Sequence, residues 1–185
     1  MSIGLREEHA SLAETVRRWC SSVVESGGRR LGLESPVTGP PPHWDDMVAF
    51  GWPTLHVPES DGGQGFGLGD LAVVLEETGR AGVPGPLVPT ALAAAVIDRL
   101  ADDTGRREAL PRIAGGEPAA VAFASAPLSG RLAGDGVVVS GSLDSVLGGA
   151  EAALIIAPVR VEGGGDEWCL LEAAEVNRSG PAGVD

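Results

Sequence analysis

The chain has no lysine and no tyrosine; all 13 of its basic residues are arginines, set against 26 acidic ones. The net charge of −13 excludes a sequence-independent nucleic-acid binder, which needs a basic surface against phosphate, and it disfavours anionic membranes. The absent lysine also removes the P-loop, whose lysine reaches the phosphates. Cysteine is scarce: Cys20 and Cys169 stand far apart, with no C-x-x-C and no metal-ligand spacing, so they read as structural or unused thiols. No apolar run reaches the length of a membrane span; even "PTALAAAVIDRL" meets a charge within ten residues. Glu7, Glu8 and Glu14 interrupt the N-terminal apolar residues, which argues against a signal peptide. The expectation is a soluble, cytoplasmic protein. What remains is ample: 43% hydrophobic residues over 185 positions suffice for one domain, or a domain with part of a second.

Helical spacing comes first along the chain. Leu5, Leu12, Val16, Trp19 and Val23 fall on one stripe, with Glu7, Glu14, Arg17 and Arg18 turned to water and Ser2 as a candidate cap. A Gly/Pro-rich loop over 25–42 follows, then a short helix from Trp44 to Phe50 that stops at Gly51. "TLHVPES" reads as extended, because Pro58 biases its predecessor away from helix. Asp70 to Thr78 is the next helix, ended by Gly79. Residues 84–100 turn helical past their prolines, and 104–116 form a short helix capped by Thr104. Near residue 118 the period changes. "AAVAFASAP", "GVVVSGS", "AALIIAPVRV" and "EWCLLEA" are short runs between Gly/Asp turns, which predicts about four antiparallel strands. The fold class is therefore α+β: a helical domain over 1–116 and an incomplete antiparallel β domain over 117–185.

Five glycines lie within eight residues in "GGQGFGLG", immediately before the third helix. A dinucleotide fingerprint needs glycines at i, i+2 and i+5 after a buried strand. Gly63 and Gly65 would require a third glycine where Leu68 stands, and Gly65 and Gly67 one where Asp70 stands. The stretch reads as a tight turn that aims the helix. His9, His43 and His56 share no ligand spacing; His9 is expected on a helix surface or as a staple, His43 in a loop, His56 packed. There is no G-x-S-x-G elbow, and Glu76–Glu77 reads as a solvated helix face. Asn177-Arg178-Ser179 matches a glycosylation sequon that carries no meaning without secretion.

The order of elements resembles the acyl-CoA dehydrogenases. Their "GW…VPE…GG.G…EE.GR" pattern is matched by "GWPTLHVPESDGGQGFGLGDLAVVLEETGR", residues 51–80. Their β domain opens with "TEP-x-x-G", here "ASAPLSG" at 124–130, and continues with a "G-x-K-x-x-I-T-N-G" segment, here within "GDGVVVSGSLDSVLGGAEAALIIAPV" at 134–159. The resemblance implies a flavin-dependent α,β-dehydrogenation of an acyl-CoA thioester, with FAD as cofactor. Aligned on Pro127, the flavin-touching loop falls on Ala124, Ser125 and Ala126, where Ser125 keeps a hydroxyl in place of threonine. The second flavin contact falls on Ser145, Val146 and Leu147; Leu147 lacks the hydroxyl and Ser145 cannot stack. Arg131 is placed to meet a phosphate or pantetheine oxygen of the thioester, with a solvated surface arginine as the alternative. The acyl pocket would be walled by Leu75 to Gly79 and Gly85 to Ala94, with the small run "ALAAAV" leaving room for a bulky group. The family's catalytic glutamate and C-terminal helical bundle have no counterpart in these 185 residues. Two readings follow: part of such a dehydrogenase, or a non-catalytic subunit that stabilises an active homologue in a homo- or hetero-oligomer. Some members pair a competent subunit with a degenerate one.

Overall fold

The computed structural model describes residues 7–28, 39–123, 126–134, 136–143 and 145–177. The Ser2 cap, Ala124 and Ser125 lie outside the described residues. Helix α1 spans Glu7–Glu25 and buries His9, Val16, Cys20 and Val23, so the buried stripe centres on Cys20 while Trp19 is only half-buried. Helix α2, Trp44–Ala49, ends before Gly51, whose φ of 70° is the left-handed conformation the expected stop requires. Helices α3 (Leu68–Ala81), α4 (Leu87–Leu100) and α5 (Asp103–Ala114) complete the helical part.

Three local expectations are corrected. Helix α3 runs through Gly79 and stops at Gly82, because Gly82 takes the left-handed φ of 65° while Gly79 keeps helical geometry. The cap of α5 is Asp102 rather than Thr104; its Oδ1 accepts a hydrogen bond from the Gly105 amide at 2.8 Å. "TLHVPES" is not an extended strand but a chain of turns, with 3₁₀ segments at Trp52–Thr54 and Glu59–Asp61. The segment then doubles back on itself: the Gly65 amide donates to the Val57 carbonyl at 2.8 Å and the Phe66 amide to Leu55 at 3.0 Å. A Cβ on Gly63 would sit 2.1 Å from the Val57 carbonyl oxygen, and Gly62 and Gly65 both have positive φ. These glycines permit a close backbone return, as the turn reading expects.

The strands are β1 (Ala119–Val121), β2 (Leu128–Ala133), β3 (Gly136–Ser140), β4 (Leu154–Val161) and β5 (Asp166–Glu172). The sheet is mixed. β2–β3 and β4–β5 pair antiparallel, but β1 and β2 both run parallel to β4. The reason is β2, "LSGRLA", whose glycine and arginine disguise it as loop. It forms a hairpin with β3, and the chain must cross back over residues 141–153 before β4 can lie beside both β1 and β2.

β4 is buried on both faces, and its alternation divides the core. Leu154 and Ile156 pack with Ala93, Ala94 and Ile97 of α4 and with Leu110 and Ile113 of α5. Ile155, Ala157 and Val159 face a second cluster with Leu128 and Ala120. A third cluster, around Trp44, Met47, Val16 and Val74, lies within the helices. Among the described residues, no helix is long and apolar enough to cross a membrane.

A candidate cleft between helix and sheet

Three elements converge on a cleft of about 210 Å³: Pro89 and Leu92 from the first turns of α4, Val121 and Phe123 from the end of β1, and Ser145 and Leu147 from the loop before β4. Helix α4 reaches the sheet because its inner face is small. Ala91, Ala93 and Ala94 are buried, and the Thr90 hydroxyl binds the backbone of Ala119. The loop is fixed from the other side. Gly148 has φ 73° and approaches Pro89 so closely that a Cβ would lie 2.5 Å from the proline ring.

The cleft is chemically sparse. Phe123 and Leu147 are 68% and 66% exposed, so their apolar surface faces the opening. Among the described lining residues, Ser145 supplies the only side-chain hydroxyl and none is titratable. Glu151, four residues beyond Leu147, is half-buried, and burial raises its pKa, but it is not among the lining residues. No group of three or more candidate metal ligands occurs among the described residues.

The sequence-derived residues are only partly gathered here. Ser145 and Leu147 line the cleft, while Val146 turns away and packs against the sheet's second core. Arg131 sits exposed on β2 opposite Val138, outside the lining. Part of the expected acyl wall is core: Leu75 and Ala91 pack into the helical core, and Ala93 and Ala94 into the core shared with β1 and β4. Within "ALAAAV", Ala93 and Ala94 bring α4 onto the sheet, while Leu92 faces the cleft. Pro89 and Leu92 fall within the expected wall Gly85 to Ala94, whereas Val121 and Phe123 were named in no sequence-derived site; the apolar run they end was the available signal.

The three histidines and the glutamate pair are also resolved. His9 is buried, against the surface expectation, with Nε2 3.3 Å from Asp70 Oδ1. His43 is buried at the start of α2, its Nε2 2.7 Å from the Pro84 carbonyl oxygen. Glu76 is exposed and pairs with Arg80, but Glu77 is 5% exposed and not part of a solvated face. Arg17 grips it with two bonds, Nε to Oε2 at 3.1 Å and NH2 to Oε1 at 2.7 Å, which holds the Glu77 carboxyl below its ordinary value. This pair forms the edge of a groove of about 300 Å³ between α1 and α3, floored by Cys20 and Val24. Burial pushes the Cys20 thiol up to about 11, so it is an inert packing residue.

The description "Acyl-CoA dehydrogenase, N-terminal domain" matches residues 6–117. The chain belongs to the acyl-CoA dehydrogenase family. It is 28% identical over 178 residues to acyl-CoA dehydrogenase FadE34 of Mycobacterium tuberculosis, covering 91% of this chain and 23% of that protein. It is 36% identical over 113 residues to acyl-CoA dehydrogenase IpdE2 of Mycolicibacterium smegmatis, covering 60% of this chain and 35% of that protein. Among solved structures, a variant of the Tcur3481–Tcur3483 steroid ACAD aligns with TM-score 0.77 and 28% identity, over 90% of this chain and 48% of that one. The ChsE4–ChsE5 complex from M. tuberculosis aligns with TM-score 0.78 over 94% of this chain and 49% of that one; at 21% identity it speaks for the fold. The chain thus spans about half of each solved relative and less of the two enzymes above.

Family membership makes FAD the group to test against the cleft. A flavin presents a polar ring edge and a negatively charged diphosphate. The described walls offer one hydroxyl, on Ser145, and no positive charge, and Leu147 adds only hydrocarbon surface. These residues do not fit the group. A buried polar edge left without partners costs about 1–3 kcal/mol per group.

Proposed function

We propose that this chain belongs to a subunit that assembles with a flavin-bearing acyl-CoA dehydrogenase partner and does not itself hold the cofactor. The observation that carries this reading is the apolar cleft: Leu92, Phe123 and Leu147 face it, and Ser145 is the single polar side chain among its described residues. Dehydrogenation of an acyl-CoA requires a base for the α proton and a hydride acceptor. The described cleft residues provide no titratable group to serve as that base. On this reading the partner contributes both, and this chain contributes the helix–sheet scaffold that buttresses the shared assembly. The similar Tcur3481–Tcur3483 steroid ACAD and ChsE4–ChsE5 complex each name two components, which supports a heteromer. The steroid ACAD likeness supports a bulky acyl-CoA thioester as the substrate of the whole assembly. A cytoplasmic location accords with such metabolism.

A second reading, in which the chain is part of a subunit with its own flavin, is favoured by one fact: Ser145 and Leu147 do line a common cleft. The visible absorption spectrum separates the two. The protein is purified from a flavin-replete host alone and co-expressed with an acyl-CoA dehydrogenase encoded beside it. Flavin only in the co-purified complex supports the partner reading. A flavin spectrum from the chain alone overturns it, and a stable chain that ignores the homologue and holds no flavin removes both.

A further inference from the structure

His56 is the residue whose surroundings the preceding account leaves unused. It lies in the segment that folds back on the glycine turn, between Leu55 and Val57, which are 5% and 0% exposed and anchor that segment. Both ring nitrogens, Nδ1 and Nε2, are buried without a hydrogen-bond partner. That is unusual for imidazole, because a buried polar atom nearly always has one. The charges acting on the ring come from α4: Asp98 favours its protonation and Arg99 opposes it. Asp98 is already engaged. Its Oδ1 lies 3.2 Å from Arg106 NH2 of α5, and the same nitrogen donates to Asp61 Oδ2 at 2.6 Å. Asp61 is part of the turn itself.

We propose that His56 is a built-in proton sensor, and that charging it loosens the turn over residues 62–67. Neutral imidazole is tolerated with both nitrogens shielded and unpartnered; imidazolium needs partners or water, and the engaged Asp98 does not offer a free carboxylate. The turn is the element able to yield. Its only internal ties are a few backbone bonds, such as Gly63 to Pro58 at 3.1 Å and Gln64 to Thr54 at 3.3 Å, and its glycines at 62, 63 and 65 gain the most freedom on opening. Burial lowers the His56 pKa in the folded protein from its ordinary 6.5. The open state therefore binds the proton more tightly. The closed turn is favoured fully above pH 6.5, and its advantage falls as pH drops through 6.5 towards the folded value, by up to about tenfold per pH unit for one proton. The Asp98–Arg106 pair keeps α4 and α5 tied to each other, and the bond from the same Arg106 to Asp61 anchors the first part of the turn, so the loosening falls on residues 62–67.

Amide hydrogen exchange on the whole chain, corrected for intrinsic rates, tests this between pH 7.5 and 5. In wild type the amides of Gly63, Gly65 and Phe66 are expected to lose up to about tenfold protection per pH unit below 6.5, while those of α4 hold theirs. His56→Leu and His56→Gln, neutral throughout, are expected to give flat profiles, and Asp98→Asn, which removes the one favourable charge, a steeper one. Equal pH profiles in wild type and His56→Leu overturn the proposal. Should both His56 variants fail to fold, an NMR titration of the wild-type imidazole decides: a pKa at or above 6.5 overturns it, one below supports it.

Discussion

The hydroxyl of Thr90 and the backbone of Ala119 bind each other twice. Thr90 Oγ1 donates to the Ala119 carbonyl at 3.3 Å and accepts from the Ala119 amide at 3.2 Å, and both residues are fully buried. A side chain on α4 thereby occupies the place of a neighbouring strand at the outer edge of β1. Together with Arg112, whose guanidinium on α5 meets Glu172 at the end of β5 at 2.6 Å, it joins the helices to the sheet. Thr90→Val keeps the shape but leaves both Ala119 groups without partners. The expected loss is about 2–4 kcal/mol in urea denaturation, against about 1 kcal/mol for Thr90→Ser, which loses only a methyl group.

Gly148 holds the cleft loop in place. Alanine there must adopt φ 73° and push its Cβ to within 2.5 Å of the Pro89 ring. Gly148→Ala is expected to cost about 1–3 kcal/mol locally. Exchange of the Gly149 and Glu151 amides, which donate to the Val146 and Gly148 carbonyls, should quicken accordingly. Unchanged exchange would mean that the loop does not depend on this contact.

The pair Arg17–Glu77 makes a prediction with a definite sign. Arg17 lowers the folded pKa of Glu77 below its ordinary 4.5, so the unfolded chain takes up this proton first as pH falls. The pair's contribution is complete above pH 4.5 and is lost as pH falls through the lowered folded value. Arg17→Met removes both hydrogen bonds from a carboxylate that is almost wholly buried and leaves it only Arg80 at 3.9 Å, so burial weighs more on its pKa and the slope flattens. The melting temperature of Arg17→Met is expected to lie well below that of wild type at pH 7 and to approach it at pH 4. A gap that stays constant with pH would show that packing, and not charge, is lost.

What the sequence disclosed was mainly local. Helical spacing located α1 to α5, and Gly51 and the glycine turn behaved as their torsional freedom requires. Ser145 and Leu147 could be singled out because Gly141 and Gly149 keep the glycines that bound the resembled motif and so fix the alignment between them. Long-range relations stayed hidden. Leu92 and Leu147 meet across 55 positions of chain, and no periodicity reports that α4's alanines exist to close on β1. β2 was invisible because Gly130 and Arg131 break the strand signal, while the pairing that rescues it comes from β4. Glu77 looked like a surface charge until α1 brought Arg17 against it.

Leu147 and Ser145 set the last expectation, which asks whether the cleft's poverty lies in these two side chains. Leu147 is 66% exposed, so Leu147→Thr costs little packing and restores a hydroxyl at the cleft. One added hydrogen bond contributes about 1 kcal/mol, roughly fivefold in affinity. Ser145→Trp adds an aromatic face, which contributes about 0.5–1.5 kcal/mol in stacking. The double variant, co-expressed with its partner and desalted extensively, is expected to retain about tenfold more flavin in this chain's own site than wild type, read as absorbance per subunit. If the absorbance stays at the wild-type level, the absence of positive charge around the cleft is the larger obstacle, and restoring donors to the ring alone does not recreate a site for the diphosphate.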